Sequence, residues 1–166
     1  MSARVGEGNS RQTKTGGISF RPARQGDVVE LVDRLAEYAE QSRFKGWGFD
    51  KGIAQVSLWD SLRDPDFFTQ IGEAGDGKLI AGIAGKIETY FFGGKYAQDY
   101  LFYIVEGYRS VTTAVTLLKA WEDWAKAKGV GRVLMSSASG YQPVRFREFL
   151  HHMGYRDYSS TYVKDQ

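Results

Sequence analysis

Residues 100–129 hold the arrangement most able to do chemistry. An apolar run, Tyr100-Leu101-Phe102-Tyr103-Ile104-Val105, enters a polar turn over 106–114 and leaves it in an amphipathic helix that stops at Gly129. The first turn of a helix carries backbone N–H groups without intrahelical acceptors, at the positive end of the macrodipole. A strand that delivers small residues to such a pole can hold phosphate. The segment therefore predicts a site for a diphosphate-bearing cofactor.

Other elements must position that pole. Residues 1–17 are polar and rich in Gly, Ser and Thr, with Arg4, Arg11 and Lys14, and read as a flexible tail ahead of one domain over 18–166. Ile18-Ser19-Phe20-Arg21 alternates and stops at Pro22, as a short strand does. Asp27 with Glu30 forms a cap signature for a helix carrying Val28, Leu31, Val32, Leu35 and Ala39. A glycine–aromatic loop over 44–49 follows, and Asp50 opens a second short helix carrying Ile53, Val56, Trp59 and Leu62. Asp64-Pro65-Asp66 breaks it.

Strands are expected at 67–73 and 78–92, joined by the turn Ala74-Gly75-Asp76-Gly77, and another ends at Val105. Gly82 and Gly85 inside the second of these predict a bulge or a close approach. The helix after the polar turn carries Val111, Ala114, Val115, Leu118, Trp121 and Ala125. A short strand at 132–136, a helix opened by Pro143 and stopped by Gly154, and a strand at 155–163 complete the chain. Three strands in succession precede the phosphate-type helix, which excludes a Rossmann half.

Composition removes other classes. There is no cysteine, hence no disulfide, thiolate zinc site or cysteine nucleophile, and the two histidines are adjacent, which disfavours a histidine metal centre. A net charge of +2 is too small to argue for nucleic acid. No apolar run approaches membrane-spanning length and no secretory h-region is visible, so a cytoplasmic location without a membrane partner is the expectation.

The element order over 18–164, with a strand–turn–helix at its centre, resembles the GNAT superfamily of N-acetyltransferases. Phe102 and Ile104 match the alternating apolar positions before that family's acetyl-CoA pyrophosphate loop, Tyr108-Arg109 its entry pair, and Ala114 its last small position. Ser110 and Thr112 stand where the family most often has glycine. Phe149-Leu150-His151-His152-Met153-Gly154-Tyr155 resembles its last helix-to-strand junction, with Leu150 where a general-acid tyrosine usually stands. The resemblance implies an α+β fold (α/β in some schemes): a mixed, mostly antiparallel sheet of six to seven strands with four helices on both faces.

It further implies acetyl transfer from acetyl-CoA, without a metal, to a primary amine of a small molecule or protein. The alternative is a catalytically inactive GNAT-fold module that binds a protein or nucleic-acid partner. Acetyl-CoA would lie along Tyr103, Ile104 and Val105 and on Arg109, Ser110, Val111, Thr112, Thr113 and Ala114, with a backbone N–H over 103–105 for the thioester oxygen. The matching base position falls at Gln98. Asp99 beside it serves only if a bulge restores its face, and Glu88 is the other option. His151 or Tyr141 would replace the missing acid. Phe44, Trp47, Tyr90 and Phe92 are expected at the acceptor, and a homodimer is compatible with such folds.

Overall fold

The computed structural model describes residues 17–137, 139–140 and 142–164, so residues 1–16 of the expected tail and the candidate Tyr141 lie outside the described residues. Its strands are β1 (Ser19–Pro22), β2 (Phe67–Glu73), β3 (Leu79–Thr89), β4 (Lys95–Ile104) and β5 (Val133–Leu134). Its helices are α1 (Val28–Gln41), α2 (Lys51–Ser61), α3 (Val111–Ala127) and α4 (Pro143–His152), with a 3-10 turn at Gln25–Asp27 before α1. The sheet runs β1-β2-β3-β4-β5, antiparallel except for the parallel β4–β5 pair.

The α+β class and the four helices agree with the expectation, but the described residues hold five strands rather than six or seven. Residues 155–163 form no strand and are mostly exposed. A strand needs a partner edge, and β5 is two residues long and pairs only with β4.

Periodicity decides which helix faces are buried. On α3, Leu117, Leu118 and Trp121 are fully buried beside Ile83, Ile87 and Ala97 of the sheet. Each such leucine contributes about 2 kcal/mol of hydrophobic stabilisation. Phe146, Phe149 and Leu150 of α4 extend the same core. Leu31 of α1 packs with Ile71 and Leu79, and Leu58 of α2 joins them.

Two local expectations are corrected. Asp27 does not cap α1 with its side chain. It closes the 3-10 turn by accepting the Arg24 N–H at 2.7 Å and pairs with Arg21, whose other partner is Glu73. Glu30 is then free to accept the Leu79 N–H at 2.8 Å, tying α1 to β3. On α2 the Asp50 cap forms, accepting the Ile53 N–H at 2.9 Å, but Ile53 and Val56 face outward. No helix among the described residues is long and apolar enough to cross a membrane.

Candidate active site

β4 and β5 pair only at Ala97↔Val133 and Gln98↔Leu134 and then diverge. The opening becomes a groove of about 480 Å³ walled by α1, β4, the head of α3 and α4. An antiparallel strand presents its N–H groups alternately to either side. The Val105 N–H is taken by the Ile80 carbonyl at 2.8 Å, so Ile104 turns its N–H toward the open edge. The Ile104 carbonyl accepts from Arg109 Nε at 2.9 Å, which pins the loop before α3 to the end of β4. Of the three residues expected to supply an N–H, the alternation selects Ile104.

Ser110 starts α3 in an extended conformation, and its Oγ accepts the Thr113 N–H at 3.1 Å. Val111 and Thr112 come before any intrahelical acceptor, so their N–H groups remain at the pole. The first turn carries no acid. A 17-residue helix with free N–H groups and no carboxylate at its head fits a diphosphate. Arg109, Ser110, Val111 and Ala114 line the groove there, whereas Thr112 lies outside its wall and Thr113 is buried with its hydroxyl on Ser110 Oγ.

Asp99 reaches the groove through a bulge. Gly85 pairs with Asp99 and Ala84 with Leu101, leaving Tyr100 as the extra residue. The face of β4 therefore changes parity there. Asp99 shares a side with Ala97 before the bulge, and Phe102 and Ile104 share it afterwards. Gly85 makes this approach possible: a Cβ on it would lie 2.6 Å from the Trp121 ring and against the Gln98 carbonyl. Gly82 is less demanding, its Cβ position lying 3.0 Å from the Tyr103 ring.

Asp99 is 5% exposed and accepts from the Ser136 N–H at 2.8 Å and Gln98 Nε2 at 3.0 Å. Burial pushes its pKa up to about 7, against the opposing pull of those hydrogen bonds. A carboxyl poised there can take a proton at neutral pH.

The other candidates separate. Phe44 lines the groove with Tyr103, Ile104 and Val105. Trp47 meets Phe44 edge-on at 5.3 Å but is 67% exposed and outside the wall. Tyr90 and Phe92 stack on each other at 5.0 Å at the β3–β4 turn, away from the groove. Glu88 accepts the Tyr100 hydroxyl and does not line the groove. His151 lies in a second cavity bordered by β5, α4 and the C-terminal segment, its Nε2 3.2 Å from Asp157. Leu150 is buried in the core.

Sequence reasoning missed Tyr38, Ser136 and the pair Arg34–Glu37, all in the groove wall. Tyr38 was findable: it stands seven residues after the buried Leu31, on the same helix face. Ser136 gave no signal, because its N–H meets Asp99 only where the two strands part. Among the described residues no cluster of His, Cys, Asp or Glu is placed to hold a metal ion.

No family model and no curated protein sequence matches the chain. Solved structures do. Glucosamine-6-phosphate N-acetyltransferase from Arabidopsis thaliana superposes with a TM-score of 0.71 at 16% identity, over 89% of this chain and 97% of that one. An aminoglycoside 6'-N-acetyltransferase from Acinetobacter baumannii gives 0.69 at 13%, over 90% and 99%. The fold is that of the GNAT acetyltransferases. A predicted acetyltransferase from Clostridium acetobutylicum, solved with acetyl-CoA, gives 0.69 at 14% identity, over 89% and 96%.

Proposed function

We propose that this chain is an N-acetyltransferase that moves an acetyl group from acetyl-CoA to a primary amine. The observation that carries the reading is the meeting of three features on one groove: the α3 pole, the outward N–H of Ile104 and the buried carboxyl of Asp99. Acetyl-CoA, bound with its diphosphate on Ser110 and the backbone N–H groups of Val111 and Thr112, supplies the acetyl thioester. The Ile104 N–H meets the carbonyl oxygen where negative charge develops. Asp99 takes a proton from the acceptor nitrogen, and Ser136 and Gln98 hold it toward that task. The structural neighbours' descriptions as acetyltransferases support the same reading.

Titration calorimetry with acetyl-CoA tests it first. Thr112→Glu places a carboxylate in the first turn of α3, which favours the helix itself but repels a diphosphate. Binding is expected in the wild type and lost in this variant, with thermal stability retained. Absence of binding at millimolar acetyl-CoA would sink the reading. Thiol release with a panel of amines then tests turnover. A second reading, a binding module without turnover, draws on Leu150, which is buried where the resemblance expects a general-acid tyrosine on α4. Acetyl-CoA binding without thiol release from any amine is its expected signature.

A further inference from the structure

The part of the groove built by α1 and the loop after it is walled by rings. Tyr38 and Phe44 line it with centroids 6.4 Å apart and Trp47 backs Phe44, whereas the ring of Tyr100, at the β4 bulge, packs on Phe67 with its hydroxyl on Glu88. Its charges are already committed. Asp99 is enclosed and holds two donors. Glu37 lines the groove, but its Oε2 receives Arg34 Nη1 at 2.7 Å. The nearby cations do not invite another: Arg43 packs over Gly140, and Lys45 faces Glu40 at 3.6 Å. Among the described residues the groove's other carboxylates are Glu37, paired with Arg34, and Glu106 at the α3 end, so an acceptor with several ammonium groups would find one enclosed carboxyl, Asp99, at this end.

Resting on the acetyl-transfer reading, we propose that the acceptor is a primary monoamine with an aromatic body, its nitrogen at Asp99 and its ring against Tyr38 and Phe44. Ring packing and the attraction of an ammonium to aromatic faces recognise such a molecule. The amine enters as its ammonium, and the Asp99 carboxylate takes one proton to free the lone pair. The N–C bond forms as the C–S bond breaks with its electron pair on sulfur. A second nitrogen proton reaches that sulfur through solvent, giving the amide and the free thiol, and Asp99 releases its proton to water.

The test compares 2-phenylethylamine, n-butylamine, spermidine and an aminoglycoside as acceptors, with binding followed by ligand-observed NMR in the presence of CoA. We expect kcat/KM for 2-phenylethylamine about tenfold above that for n-butylamine and further above both polycations, as one ring contact of about 1.4 kcal/mol provides. Phe44→Ala should reduce the ring preference from about tenfold to about twofold and weaken 2-phenylethylamine binding correspondingly, by about fivefold. Higher kcat/KM for spermidine or the aminoglycoside overturns the proposal, as does absence of 2-phenylethylamine binding, whether or not another amine is turned over. Phe44-dependent binding of 2-phenylethylamine without thiol release from any amine supports the ring site and refutes acetyl transfer instead.

Discussion

Replacing Asp99 with asparagine removes a charge from the groove wall while keeping an oxygen for the Ser136 N–H and Gln98 Nε2. In the wild type the carboxyl is 5% exposed, and burial raises its pKa from 3.8 to about 7. The native state therefore binds this proton more tightly than the unfolded chain. Its stabilising share is fully present below the unfolded pKa and lost as pH rises toward 7. At 1.36 kcal/mol per unit, the loss totals about 4 kcal/mol above pH 8, and about 2–3 kcal/mol of it falls between pH 5 and pH 8. Asp99→Asn cannot lose it.

The variant's advantage over wild type should thus grow by about 2–3 kcal/mol from pH 5 to pH 8 and then level, or by about 5–10 °C in Tm. Urea unfolding of both proteins at half-unit pH steps measures this directly. In parallel, wild-type kcat/KM should rise with pH through a limb near 7. Asp99→Asn should lower kcat/KM by about 10²–10⁴-fold. Stability curves that stay parallel within about 0.5 kcal/mol across this range would refute the reasoning, because they would place Asp99 in water rather than in the wall.

Gly85→Ala drives a methyl into Trp121 and the Gln98 carbonyl, and should destabilise by at least the 1–3 kcal/mol typical of overpacking, seen as a lower urea midpoint. Because the bulge carries Asp99, the same variant should lose the activity limb near pH 7. Ser110→Ala removes the α3 cap and should cost about 1 kcal/mol in thermal unfolding while weakening acetyl-CoA measured by calorimetry. His151→Ala should leave kcat/KM within twofold of wild type, since its side chain lies in the second cavity beside Asp157; a larger fall would return His151 to the reaction.

The elements set by local chemistry were legible. Gly129, at φ +74°, ends α3 where the pattern stops, Pro143 opens α4, and Asp50 caps the helix it precedes. The helix pole proposed for the diphosphate is likewise local in composition: an N-cap, two N–H groups without intrahelical acceptors and no acid lie within a few consecutive residues. Readings that needed a distant partner fared differently. A strand was expected at 155–163, but β5 offers no edge long enough to pair with it. Of the apolar residues the sequence put on α2, Ile53 and Val56 face outward, while Leu58 is packed.

Asp99 marks the boundary most sharply. The sequence by itself determined that a strand delivers small residues to a helix pole, with a carboxylate a few residues upstream and a glycine in the neighbouring strand. Whether that carboxylate faced the groove or the opposite side depended on one extra residue in β4. Strand period is two, so a single inserted residue reverses every side chain beyond it. Only the packed sheet decided this: Gly85 admits the Trp121 ring and the Gln98 carbonyl, Tyr100 takes up the bulge, and the parting of β5 brings the Ser136 N–H to Asp99.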